Sequence, residues 1–98
     1  MIEQFHEWID SYSNYISEMG IVQVEWYENK LTNGEVSSIV VTHETSKYIG
    51  QITVRNDRHI DIEVLSISTN ELEFYLYFMA EKYVNLEIIL NSYIDYIK

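Results

Sequence analysis

Carboxylates separated by a single residue are the side chains in this sequence with the clearest chemical potential. Asp61 and Glu63 form one such pair, and Glu73 begins a second alternating stretch with Tyr75 and Tyr77. Neighbouring carboxylates can act as general acid and base, or they can bind cationic side chains. Sixteen of the 98 residues are Asp or Glu, so such pairs arise without any catalytic role. A charged, solvated strand face is the simpler interpretation.

The histidine and serine residues, and the absence of cysteine, indicate neither catalysis nor metal binding. His6, His43 and His59 fall on a predicted helix, a strand end and a turn, without the close spacing of metal ligands, and we expect them at the surface. No serine has the GxSxG or SxxK setting of an activated nucleophile. The chain has no cysteine, which excludes thiolate ligands and disulfides. The sequence therefore predicts a protein that is not an enzyme and that uses no metal or cofactor.

Net charge narrows the choice of partner. Six basic residues oppose sixteen acidic ones, which gives a formal net charge of -10. Such a protein repels nucleic acid phosphates and anionic membranes. A basic protein partner is favoured, because complementary charge accelerates encounter and disfavours wrong partners. The alternative is that acidity only keeps a small protein soluble.

The first segment predicts an amphipathic helix over residues 2–19, with acidic residues opposite its apolar stripe. Gly20 can end this helix because glycine readily adopts a left-handed conformation. Trp8 and Tyr15 flank the stripe and are expected at the edge of the core. The stripe consists of Ile2, Phe5, Ile9, Tyr12, Ile16 and Met19.

A period of two begins at Ile21 and predicts strands joined by short turns. In the first strand, Val22, Val24 and Trp26 alternate with Gln23, Glu25 and Tyr27. Further strands are predicted over residues 36–43, 48–55 and 60–64, with turns at 32–34 and 56–58. Each connection is too short for a parallel crossover, so the sheet should be an antiparallel meander.

Residues 71–80 permit two predictions, a strand or a helix. Asn70-Glu-Leu-Glu73 fits a helix capping box, whereas the aromatic content and the period of two favour a fifth strand. A second amphipathic helix is predicted over residues 83–97. Its apolar arc comprises Tyr83, Leu86, Ile89, Leu90, Tyr93, Ile94 and Ile97.

These elements predict one α+β domain over residues 1–98. It is a two-layer sandwich, in which a five-stranded antiparallel meander packs both terminal helices on one face. The other sheet face remains open to solvent. We expect that open face to carry carboxylates and tyrosines, which suit protein recognition, although tyrosine is also a good strand former on a solvated sheet. The candidate residues are Glu25, Tyr27, Asp61, Glu63, Glu73, Tyr75 and Tyr77.

A cytoplasmic location is expected. The N-terminus lacks the basic and apolar regions of a signal peptide. The longest apolar run, residues 74–80, is too short to span a bilayer.

Several segments together resemble the TriTu-type immunity proteins. The resemblance rests on Tyr48-Ile-Gly-Gln-Ile-Thr-Val54, Asp61-Ile-Glu-Val-Leu65 and Phe74-Tyr-Leu-Tyr77, with an opening helix that ends at glycine and a C-terminal amphipathic helix. It implies protection against a toxin domain delivered by contact-dependent growth inhibition. It further implies a toxin similar to tRNA-cleaving nucleases that work with elongation factor Tu, in a complex that can also contain that factor. Inhibition would be by blocking the active site or RNA access.

Two other functions are compatible with the residues alone. An acidic interaction module, such as a nucleic acid mimic without a linked toxin, would share the composition, and the neighbouring gene would distinguish it from an immunity protein. A small enzyme using a surface carboxylate would require a concave pocket around carboxylates with shifted pKa values.

Overall fold

The computed structural model describes residues 2–80 and 86–98. Within these ranges, two helices flank five strands. No helix in these two ranges is long and apolar enough to cross a membrane. The elements are α1 (Ile2–Glu18), β1 (Val22–Lys30), β2 (Val36–Glu44), β3 (Tyr48–Arg55), β4 (His59–Ser66), β5 (Leu72–Met79) and α2 (Leu86–Ile97).

The first helix ends where its sequence predicts. The amide of Gly20 donates to the carbonyl of Ser17 at 3.1 Å, and the amide of Ile21 donates to that of Ile16 at 3.2 Å. With Gly20 at a φ of 78°, these bonds form a Schellman cap, which satisfies carbonyls left free by the last turn. Ile21 is buried, so the cap also fixes the entry of the chain into β1.

The strands form one antiparallel meander in the order β1-β2-β3-β4-β5, which confirms the predicted fold. Residues 71–80 contribute strand β5 rather than a helix. Tight turns permit this topology: Gly34 in the β1–β2 turn has a φ of 89°, and Arg58 in the β3–β4 turn has a φ of 73°. Part of the predicted second helix, residues 83–85, lies outside the described residues, and α2 confirms the remainder.

Both helices contribute to one core on a single face of the sheet. Helix α1 contacts β2, β3 and α2, and α2 also contacts β3. The indole Nε1 of Trp8 donates to Oδ1 of Asn91 at 3.3 Å, so Trp8 is buried between the helices rather than at the core edge, whereas Tyr15 is exposed. Sheet residues of the core are Ile39, Val41, Ile52, Val54, Ile60, Ile62 and Val64.

Strand β1 departs from the predicted alternation. Gln23 pairs with His43 and Glu25 pairs with Thr42, so Val24 is the extra residue of a β-bulge. A bulge shifts the alternation by one position. Val22 therefore lies opposite Glu44 on the solvent side, and the prediction that Val22 and Val24 share the core face with Trp26 is wrong.

His43 is buried, so the prediction that it lies at the surface is wrong. It follows Ile39 and Val41 on the core side of β2, where it is fully inaccessible to solvent. Its Nδ1 lies 2.9 Å from the hydroxyl oxygen of Tyr93 on α2. Burial lowers the pKa of His43 from 6.5 to about 4 and raises the pKa of Tyr93. Both groups are therefore neutral at pH 7.

Gly50 on β3 makes room for this pair. A Cβ atom at Gly50 would lie only 2.7 Å from Cε2 of Tyr93, well inside van der Waals contact. We predict that Gly50→Ala lowers the free energy of unfolding by about 1–3 kcal/mol, because overpacking displaces the Tyr93 ring. Urea denaturation measures this change. Thr53→Ala, on the opposite face of the same strand, is the control; it removes a good strand former without any steric clash and should cost less, at most about 1 kcal/mol. Equal effects would contradict the close fit.

Protonation of His43 should destabilise the fold at acidic pH. Its folded pKa lies below the unfolded value, so the unfolded chain binds the extra proton as pH falls from 6.5 towards 4. Relative to a His43→Gln variant, we predict that the wild type loses about 3 kcal/mol of stability between pH 7 and pH 4. Denaturation midpoints over this range measure the difference. Parallel pH profiles for the two proteins would contradict the assignment.

Candidate functional site

The sheet face opposite the helices, called here the open face, presents two central rows of side chains. Cross-strand partners share a face, so the register determines each row. The first row is Glu25, Thr42, Gln51, Glu63 and Tyr75. The second row is Tyr27, Val40, Thr53, Asp61 and Tyr77.

Four of the predicted site residues meet where β4 pairs with β5. Asp61 lies opposite Tyr77 and Glu63 lies opposite Tyr75; these four residues are called here the quartet. The hydroxyl of Tyr75 donates to Oδ2 of Asp61 at 3.1 Å, diagonally across the strands. Both tyrosines are about half exposed, at 52% for Tyr75 and 50% for Tyr77. The quartet thus combines two carboxylates with two accessible rings.

Hydrogen bonding to Asp61 raises the pKa of Tyr75, with smaller contributions from desolvation and from the negative charges of Asp61 and Glu63. Tyr75 therefore remains a neutral donor. This contact restrains the Asp61 carboxylate in the absence of a partner, so less conformational entropy is lost when a partner binds.

His59 lies beside the quartet on the open face. The sequence assigned this residue to a turn, so its contribution was missed. Its ring stacks on Tyr77 with centroids 5.6 Å apart and an interplanar angle of 19°. Its Nδ1 lies 2.9 Å from Oδ1 of Asp57, and hydrogen bonding from His59 lowers the pKa of Asp57. The period of two through His59, Asp61 and Glu63 is the signal that could have placed it on this face.

Glu25 and Tyr27 lie on the same open face but at its opposite edge. Strands β2 and β3 separate them from the quartet, so Glu25 and Glu63 are three strand spacings apart, roughly 14 Å. The intervening side chains are uncharged, and Nε2 of Gln51 donates to Oγ1 of Thr42 at 3.2 Å. The predicted residues therefore form two groups rather than one continuous cluster.

Glu73 does not join the open face, and its predicted placement is wrong. Phe74 pairs with Val64 and Leu72 pairs with Leu65, so Glu73 is the extra residue of a second bulge. The charge of Glu73 is the largest cause of the raised pKa of Tyr48, and a hydrogen bond to Glu73 adds to it. Since Tyr48 packs against the core, Glu73 lies towards the helix-covered side.

An apolar row borders the two central rows at one end of the face. Leu65 follows Glu63 on β4, and its cross-strand neighbours are Ile49 and Leu72. Leu72 is 53% exposed. The open face therefore places an apolar border beside a carboxylate and tyrosine centre, an arrangement suited to protein contact.

Histidine and carboxylate side chains do not assemble into a metal centre within the described parts of the chain. No group of three or more His, Asp or Glu residues there has the geometry to hold an ion. The quartet itself offers groups for charge pairing, hydrogen bonding and aromatic contact.

Comparison with known protein families gives a match over nearly the whole chain. The family model described as "Immunity protein TriTu" matches residues 3–96, nearly the whole chain. No curated protein and no solved structure matches.

Removal of the quartet's polar contacts should leave the fold intact, because these side chains lie at the surface. We predict that Asp61→Asn, Glu63→Gln and Tyr75→Phe each change the free energy of unfolding by no more than about 0.5 kcal/mol. Urea denaturation at pH 7 measures the change. A loss of about 2 kcal/mol or more for any of the three would assign that residue to the stability of the sheet instead of to a binding surface.

Proposed function

This chain belongs to the TriTu immunity protein family, and we propose that it neutralises its cognate toxin through the open face, with the quartet at the centre of the contact. The contact is placed at the quartet because two carboxylates pair there with two half-exposed tyrosines on adjacent strands. Tyrosine provides a large, rigid contact area, and carboxylates pair with Arg and Lys.

The partner that fits this surface is a basic nuclease domain of a contact-dependent growth inhibition toxin. An enzyme that binds RNA needs cationic side chains to hold the phosphates. Asp61 and Glu63 can pair with those side chains in place of the phosphates. The net charge of -10 further accelerates association with a basic protein.

Inhibition requires binding alone. The immunity protein acts stoichiometrically, without catalysis, by covering the toxin's active site or its path for RNA. Tyr75 and Tyr77 supply the area that excludes water, and the hydrogen bond from Tyr75 orients Asp61 before the toxin arrives. Glu25 and Tyr27 extend the contact if the toxin spans the sheet.

The resemblance to the family adds two finer expectations. The toxin cleaves tRNA together with elongation factor Tu, and the inhibited complex contains this factor as well. Inhibition takes place in the cytoplasm, where tRNA is found. Copurification of the factor with the immunity protein and its toxin tests this part separately.

A double substitution tests the proposed surface. We predict that Asp61→Asn with Glu63→Gln weakens toxin binding at least about tenfold per carboxylate, because each change leaves a toxin cation without its partner. Calorimetry measures the affinity, and survival of cells expressing the toxin measures protection. Much of the loss should persist at high salt, because ion pairs enclosed by the contact are screened less than exposed charges.

Glu7→Gln with Asp10→Asn is the matched control. It removes the same two charges from exposed positions on α1, on the other side of the molecule. Affinity and protection should stay within about twofold of the wild type, since exposed charges farther from the contact than a Debye length are largely screened at physiological salt. Equal losses for the two double variants would show that net charge acts without this surface, and no loss in the first would refute the placement.

A further inference from the structure

Strand β5 is an exposed sheet edge of unusual composition. Its residues Leu72–Met79 read LEFYLYFM, and among the residues that the structure describes it pairs with β4 alone. Leu76 is 36% exposed and Met79 is 62% exposed. Native proteins usually protect such edges with lysine, proline or bulges, because free backbone groups pair readily with another strand. From Phe74 to Met79, β5 has none of these devices.

The opposite edge of the sheet is protected in the usual way. Strand β1 has two register irregularities, between Gln23 and Glu25 and between Asn29 and Lys30. It also carries three charged side chains, at Glu25, Glu28 and Lys30. The contrast between the edges indicates that β5 is left free for pairing.

The sequence of β5 identifies the partner strand. Residues 74–78 read Phe-Tyr-Leu-Tyr-Phe, which is a palindrome centred on Leu76. When two copies of such a strand pair antiparallel about Leu76, each Phe74 lies opposite Phe78 and each Tyr75 lies opposite Tyr77. This is the self-complementarity that a two-fold interface requires.

We propose that two copies of this protein associate through β5, with a two-fold axis at Leu76, to form a continuous ten-stranded sheet. No charged residue lies in the palindrome, and in this register Glu73 lies opposite Met79 of the second copy. The strands therefore meet without facing like charges. The two open faces become continuous, with a quartet on each side of the axis.

The net charge of each copy determines how strongly the dimer forms. Two chains of charge -10 repel each other, and this repulsion is screened by salt. Pairing of one strand from each copy also buries less than the roughly 1,600 Å² of a standard interface. The dimer should therefore be reversible, and it should be favoured by higher protein concentration and higher ionic strength.

Cysteine cross-linking tests the register directly, because the natural chain contains no cysteine. Directly opposed residues in an antiparallel pair have Cα atoms about 4.5–5.5 Å apart, within the range that a disulfide spans. Leu76→Cys should form a covalent dimer under mild oxidation. Val24→Cys on the β1 edge and Leu72→Cys at the start of β5 are the controls and should cross-link at least about fivefold less, since neither residue opposes itself.

Sedimentation of the unmodified chain provides the second measurement. Its mass should rise from 11.7 kDa towards twice that value with concentration and salt. Leu76→Lys should remain monomeric because two like charges meet at the axis, whereas Val24→Lys, which adds the same charge to the other edge, should dimerise as the wild type does. A monomer under all conditions, or equal cross-linking at all three cysteine positions, would overturn the proposal. Neither measurement involves the toxin, so the dimer and the proposed function can fail independently.

Discussion

The register of β4 between β3 and β5 is the constraint on which both the core and the open face depend. Ile60, Ile62 and Val64 enter the core, while Asp61 and Glu63 alternate with them on the open face. A slip of one residue would exchange these sets and bury two carboxylates, at a cost of several kcal/mol for each unpaired charge. The free energy that stabilises the core therefore also holds the quartet in position.

The helices determine which face remains available. Both pack on the same side of the sheet, and α2 is fitted closely there because the ring of Tyr93 occupies the space above Gly50. The hydroxyl of Tyr93 reaches His43, a neutral polar partner on β2. A buried polar group that loses its partner costs free energy, so this contact favours one placement of α2 over the sheet. The open face is thus left uncovered by an arrangement that the core specifies.

Periodicity predicted the order and type of the elements because this fold has one covered and one open sheet face, and each strand therefore carries a clear alternation. It also placed Asp61, Glu63, Tyr75 and Tyr77 together. The predicted faces are wrong where the register changes: at the bulge of β1, for Val22 and Val24, and at the bulge of β5, for Glu73. A bulge adds one residue without a composition signal, so only the cross-strand pairing reveals it. His43 was misassigned because its partner Tyr93 is fifty residues distant.

The central claim is that negative charge on the open face occupies the cationic surface of a toxin. A structure of the immunity protein bound to its cognate toxin domain tests this claim most directly. We expect Lys or Arg side chains of the toxin within about 4 Å of Asp61 and Glu63, with Tyr75 and Tyr77 buried in the contact. A toxin seated on α1 and α2, with the quartet still exposed to solvent, would contradict the account.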